Sequence, residues 1–409
     1  MVEPMVKRCA GLDVHKMQIM VTVLLEQSDG QVQESTREFG TFQADRLALA
    51  DWLNRLNVEL VVMESTGSYW KSIFSTLEAA GLKAYIVNAR HVKQVPGRKT
   101  DVQDSQWLAS LARCGLLRPS FIPPQDLREL RLVTRYRLKL AHTLASEKNR
   151  LHKVLDAAGI RLGGIVSDIN GTSAQAMIAG LIAARPLAEV IDCARGRMRT
   201  KREQLRQALD EPLSERHRVV LQELHHHMGF LEPQLSSFDQ RILAAMAPYQ
   251  PQWRLLQTLP GVDRIAAALL IAEIGIDMER FGRGEQFASW AGLCPGNNES
   301  AGKRKSSRLR KGNPVLRQLL CEIANAACRT HSQFKGKYRA LVIRRGHKRT
   351  ILALAHKLLR VIYALLKHQQ PYRDPGIDYE ALIVQKNAPR WIQALKKYGY
   401  LPNGRSVAA

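Results

Sequence analysis

The chain lacks paired cysteines and long apolar runs, and it has few acids for its length. Its six cysteines (Cys9, Cys114, Cys193, Cys294, Cys321, Cys328) are scattered, and no two share a CxxC spacing. That leaves no support for a zinc knuckle or a disulfide framework, and the thiols are expected to be reduced. No apolar stretch is long enough to span a bilayer. Residues 1–25 carry Asp13, His15 and Lys16, with no small-residue cleavage site after them. Neither a membrane span nor a signal peptide is expected. Acids number 37 against 61 lysines and arginines, a formal net charge of +24. So basic a chain calls for a polyanionic partner. Nucleic acid fits better than a membrane surface, because the cations spread over several segments. A non-enzymatic basic protein has the same composition.

Four of those scarce acids stand where strand and helix patterns would bring them together. Asp13 interrupts the apolar run Cys9-Ala10-Gly11-Leu12-Asp13-Val14, and Glu64 ends Glu59-Leu60-Val61-Val62-Met63-Glu64. A carboxylate in a buried strand is costly unless a cation meets it. Asp101 and Asp104 fall three apart at the start of a predicted helix. There Thr100 and Gln103 have the spacing of a capping box, and the helix dipole favours the ionised acids. First-turn acids are also common for dipole reasons alone. Converging carboxylates suit hard divalent ions such as Mg²⁺, two of which can drive phosphodiester chemistry. Nearby, Lys99 is a candidate phosphate contact, and His15 is a candidate base or a plain neighbour of the site.

At 409 residues the chain is long enough for two or three domains. Residues 1–122 read as an α/β domain with a mixed sheet. Strands are predicted at Lys7–Val14, Gln18–Leu25, Gln31–Phe39, Val58–Met63 and Lys83–Val87. Helices are predicted at Ala44–Leu56, Tyr69–Ala80 and Asp101–Arg113. The first three strands form an antiparallel meander, and the later ones pair in parallel through helical crossovers. Residues 123–250 read as two long helices, Asp126–Ala158 and Ser214–Ala247, joined by a Gly-, Ala- and Arg-rich insert over 160–212. An antiparallel coiled coil and an ordinary bundle both fit that pattern. Residues 251–370 read as a mostly helical domain, and 371–409 as a small appendage with a frayed end.

Two further segments in the third region carry chemistry. Leu259 to Leu270 resembles the second half of a helix-hairpin-helix, with Asp263 where a second glycine is usual. It is either a phosphate-binding turn or a turn packed inside a bundle. Ser300 lies in a polar loop, with Lys303, Arg304 and Lys305 just beyond it. Such cations favour a developing phosphate charge, although serines in such loops are usually only turn residues. From Lys303 to Arg360 there are seventeen lysines and arginines, Arg308, Arg310 and Lys311 among them, and one acid, Glu322. Those cations are candidate nucleic-acid contacts.

Taken together, Gly11-Leu12-Asp13-Val14-His15-Lys16, Met63-Glu64-Ser65-Thr66-Gly67, Lys99-Thr100-Asp101-Val102-Gln103-Asp104, the Leu259–Gly275 hairpin, and Gly292 through Ser300 to Gly312-Asn313 resemble the DEDD insertion-sequence transposases. The resemblance spans roughly residues 7–365, in the expected order. It implies an N-terminal domain with a RuvC-like (RNase H-like) fold, in which Asp13, Glu64, Asp101 and Asp104 hold Mg²⁺ as a pair of ions. It implies that Ser300 attacks a DNA phosphodiester to form a phosphoserine link. It also implies a homo-oligomer, a tetramer built from dimers, acting on donor and target DNA under a structured bridge RNA, in a prokaryotic cytoplasm. The alternative is a RuvC-like structure-selective endonuclease that uses metal-activated water, with Ser300 as scaffolding.

Overall fold

In a computed structural model, residues 5–65, 67–88, 92, 104–294, 298–300, 303–306 and 311–401 are described. They fall into two compact units, 1–125 and 126–409.

The first unit is built on a five-stranded mixed sheet. Strands β1 (Arg8–Val14), β2 (Gln18–Glu26) and β3 (Val32–Gly40) form the antiparallel meander. Helix α1 (Gln43–Arg55) then leads to β4 (Leu60–Glu64), and helix α2 (Trp70–Ala79) leads to β5 (Ala84–Val87). The sheet order is β3-β2-β1-β4-β5, with β4 parallel to both β1 and β5. The apolar alternation of β1 and β2 serves both faces, because both are covered. One face packs Leu12, Val21, Val23, Val61 and Met63 against Leu49, Leu53, Ile73 and Leu77 of α1 and α2. The other packs Cys9, Leu24, Leu60 and Val62 against Leu108, Ala109 and Leu111 of helix α3 (Asp104–Arg113). β3 is mostly exposed and carries Glu34, Arg37 and Glu38, as suits an edge strand. The predicted helix start at Asp101 and its cap Thr100 lie outside the described residues.

The second unit is helical. Helix α4 (Gln125–Ala157) has 33 residues, most of them in this unit, which makes it about 50 Å long. Four short helices follow: α5 (Leu162–Ile165), α6 (Thr172–Ile182), α7 (Leu187–Asp192) and α8 (Arg202–Leu209). Helix α9 (Glu215–Ala244) then runs for 30 residues through Pro233. Arg137 pairs with Asp239, Glu147 with His227, and Lys148 with Glu232. From Arg137–Asp239 to the pairs at Glu147 and Lys148 the α4 index climbs by ten or more while the α9 index falls, so α4 and α9 lie antiparallel. Leu140, Leu144, Leu151 and Leu155 share a core with Leu221, Leu224, Met228 and Leu231. The segment read as a Gly-, Ala- and Arg-rich insert belongs to that core through Met177, Ile178, Val190 and Leu205. Its helices are too short for a period to show in the sequence.

The rest of the unit comprises α10 (Gln250–Gln257), α11 (Arg264–Ile274), α12 (Gly284–Trp290), a hairpin of β6 (Asn298–Ser300) and β7 (Lys303–Ser306), and then α13 (Pro314–Ala327), α14 (Gln333–Arg345) and α15 (His347–His368). Every residue of α11 from Ala267 to Ile274 is buried. The C-terminal segment, expected to be a small appendage, contains helix α16 (Tyr379–Lys397), with Pro389 inside it. Among the described residues, no helix is long and apolar enough to cross a membrane.

Candidate functional site

The strand register brings the first two acids side by side. Gly11 is opposite Val62, and Leu12 is opposite Met63, in the parallel β1–β4 pair. One step further along both strands come Asp13 and Glu64, at the C-terminal ends where α/β sheets bind ligands. Alternation fixes their face. Leu12, Val14 and Met63 point into the core under α1 and α2. Asp13 and Glu64 therefore share the face with Cys9, Gly11 and Val62, which α3 covers.

Asp104 opens α3 on that same face, and two features hold the helix there. A β-carbon on Gly11 would lie 2.1 Å from the Ser105 carbonyl oxygen and 2.4 Å from the Ala109 amide nitrogen. Only glycine lets β1 and the first turns of α3 come so close. The buried Thr22 hydroxyl of β2 also bonds the buried Ser105 hydroxyl at 2.9 Å, and it reaches Thr36 of β3 at 3.0 Å. Asp104 thus begins a helix whose next residue is pinned to the sheet, and Gly11 stands two residues before Asp13. Neither Thr22 nor Ser105 was singled out from the sequence. The available signal was a hydroxyl inside the apolar run Met20-Val21-Thr22-Val23.

Asp13 is less buried than an acid within an apolar strand would suggest. Its side chain is 30 % exposed, and its Oδ2 lies 3.1 Å from His15 Nε2. Glu64 is half-buried and Asp104 is exposed. Asp101 and Lys99 lie outside the described residues. Among the described residues, no three His, Cys, Asp or Glu side chains stand close enough to form a metal-binding group. What the described part presents is two carboxylates on adjacent strands and a third at the first residue of the helix that covers their face. All of their donors are oxygens, the type a hard divalent cation takes.

The serine segment departs from the expected loop. Ser300 ends β6 and pairs with Lys303 of β7, while Glu299 pairs with Arg304. These strands are short and polar, with no apolar alternation to reveal them. Lys303, Arg304 and Lys305 lie on β7, Lys311 is exposed, and Arg308 and Arg310 fall outside the described residues.

The base of that segment is tightly closed. A β-carbon on Gly312 would lie 2.3 Å from the Gly292 nitrogen. Next to it, Asn313 caps α13, its Oδ1 accepting from the amides of Val315 and Leu316. Its Nδ2 donates to Glu273 Oε2 at 2.6 Å. Glu273 is 1 % exposed, and it takes both Nε and Nη2 of Arg135, at 2.8 and 3.0 Å. Arg131 donates to the backbone carbonyls of Ala272 and Glu273. Burial alone would push the Glu273 carboxyl up, but Arg135, Asn313 and Arg131 together hold it below its ordinary range. Arg135 is raised in turn, chiefly by its hydrogen bond to Glu273. This cluster was also missed in the sequence. Its signal was one acid in Ala266-Ala267-Ala268-Leu269-Leu270-Ile271-Ala272-Glu273-Ile274.

The hairpin glycine is not open to a phosphate. Gly261 has φ 85°, and a β-carbon on it would lie 2.6 Å from the Ile323 carbonyl of α13. Asp263 caps α11, with its Oδ1 accepting the Ala266 amide at 2.7 Å. Of the two readings of this turn, packing inside the bundle is the one the geometry favours, because a neighbouring helix and the chain's own carboxylate already occupy the approach.

Two family profiles match the chain, and the first runs from the sheet of the first unit through α4 of the second. Residues 10–160 match a family profile for DEDD transposases of the IS110 type, described as "Transposase". Residues 253–339 match one described as "Transposase IS116/IS110/IS902 family". A protein of Pseudomonas aeruginosa named "Probable family 20 transposase" is 27 % identical over 342 residues, covering 82 % of this chain and 91 % of that one. The "Transposase for insertion sequence element IS1111A" of Coxiella burnetii is 26 % identical over 328 residues, covering 78 % and 80 % respectively.

Proposed function

Because the chain belongs to the IS110 family of insertion-sequence transposases, we propose that it cuts and rejoins DNA with a serine nucleophile in a Mg²⁺-dependent reaction guided by a bridge RNA. The observation that carries the acidic site is the register that sets Asp13 beside Glu64 on the face opened by Asp104. Asp13, Glu64 and Asp104, together with Asp101, would hold the Mg²⁺, which when bound supplies positive charge to a phosphate in the transition state. The helix start that carries Asp104 is held close to the sheet by the Gly11 approach and the Thr22–Ser105 bond. His15 restrains Asp13.

Ser300 acts by transesterification. Its Oγ forms a bond to phosphorus as the bond to one sugar oxygen breaks. The serine proton passes, directly or through solvent, to the departing sugar hydroxyl. One phosphodiester replaces another, so rejoining needs no external energy source. The cations of β7 and Lys311 offset the charge that builds on the phosphate.

Two further parts of the proposal rest on the family. Donor and target are selected by base pairing to a structured RNA from the element's own end, while the protein's cations grip the backbone. The active assembly is a tetramer made of two dimers.

A denaturing gel of reactions with joined element ends, target DNA and the adjacent non-coding transcript tests the reading. Wild type is expected to give a protein–DNA adduct and recombinant product. Ser300→Ala should give neither, and Asp13→Ala should lose recombination. Product formed by Ser300→Ala without any adduct would replace the serine mechanism with metal-activated water in a RuvC-like endonuclease.

A further inference from the structure

We propose that Glu273 is a positioning residue: it fixes the closed base of the Ser300 segment to the basic helix α4. The inference rests on the serine reading above. Three observations converge on it. The buried Glu273 carboxylate bonds both Asn313, at the end of the segment, and Arg135, on α4. Gly312 and Gly292 touch closely, so the two ends of the stretch that contains Ser300 are held at one point. Arg131 binds the last carbonyls of α11, so α4 grips the helix that carries Glu273 as well as its side chain.

A carboxylate is suited to this task because it accepts from several donors at once. Its two oxygens take a forked arginine and an amide together, which fixes their angles as well as their distances. A buried acid serving stability alone would need only the arginine. The Asn313 bond adds a link to the segment that bears the nucleophile. Misplacing a reacting group by about 1 Å can cost on the order of 100-fold in rate.

The test separates placement from folding. Asn313→Ser keeps a capping oxygen for α13 but is too short to reach Glu273. Adduct formation is followed with the full chain, Mg²⁺, joined element ends and the adjacent transcript, at saturating DNA. Asn313→Ser is expected to form adduct about 10-fold more slowly or worse, with its half-saturating DNA concentration and melting midpoint close to wild type. Glu273→Gln and Asn313→Asp should each be slow. Together they restore a donor–acceptor pair of reversed polarity and should recover most of the rate. A wild-type rate in Asn313→Ser overturns the proposal. So does a slow rate that follows the loss of melting midpoint and is not recovered in the swapped pair. Loss of adduct in Ser300→Ala is a separate requirement of the serine reading. Should wild type cut DNA without an adduct, that reading falls, and the same variants then judge Glu273 by the rate of cutting.

Discussion

Asp13 and Glu273 look alike in sequence and play opposite parts in the fold. Each is a lone acid in an apolar segment. Glu273 sits on a helix surrounded by other helices, and two arginines and an asparagine meet it inside the bundle. Asp13 sits at the end of a strand, part exposed, beside Glu64 and the helix start at Asp104. An acid whose countercharge comes from its own chain holds the fold together. Asp13 has only an exposed histidine near it, which leaves its carboxylate open to solvent. Burial and partners distinguish the two cases, and the residue type does not.

Several measurements would break or sharpen this contrast. The largest difference is expected on removing each acid outright. Asp13→Ala, which should end recombination, is expected to leave the stability of the first unit within about 1 kcal/mol, as for a part-exposed group. Glu273→Ala should destabilise the second unit by about 1–3 kcal/mol in urea unfolding, because it leaves the Asn313 amide and the part-buried Arg135 without their acceptor. A mild effect of Glu273→Ala together with an unfolded Asp13→Ala would reverse the assignment.

Gly11→Ala comes next. Its new β-carbon would meet backbone atoms of Ser105 and Ala109, which no side-chain rotation can move aside. A loss of about 1–3 kcal/mol is expected, and recombination should fall as α3 shifts away with Asp104. Wild-type activity in Gly11→Ala would mean that the helix start need not lie so close to Asp13.

The smallest effect is one of pH. The folded Glu273 carboxyl titrates below its ordinary value of 4.5. A carboxylate depressed in the folded state contributes stability above its unfolded pKa, and that stability is lost as pH falls through the folded value. The melting midpoint of the second unit should therefore fall between about pH 4.5 and more acid values, and Glu273→Gln should lack that component. An unchanged acid limb in Glu273→Gln would remove the carboxylate from the account.

Much of the first unit could be read from periodicity. Five strands, the meander and the parallel pairs followed from apolar runs and the spacing between them. The long helices α4 and α9 declared themselves through their apolar stripes. The β6–β7 hairpin did not, because its residues are polar and its strands are three and four residues long. Nor did the short helices of 160–212, whose lengths of four to eleven residues give a period little room to show. Helix α16 was hidden by Pro389 and by the proline, glycine and aromatic residues around it. For the acidic group, sequence gave the residue types and the strand ends. The shared face came from the register.

What the sequence alone determined was the material: an excess of positive charge, apolar patterns that sort strands from long helices, and a few acids where acids are costly. Those follow from composition and local period, which any stretch of chain carries by itself. Tertiary structure decided which acid is enclosed by cations of its own chain, as Glu273 is, and which stays part exposed at a strand end, as Asp13 does. That choice depends on residues more than a hundred positions apart, such as Arg135 and Glu273, and charge acts through space without regard to position along the chain.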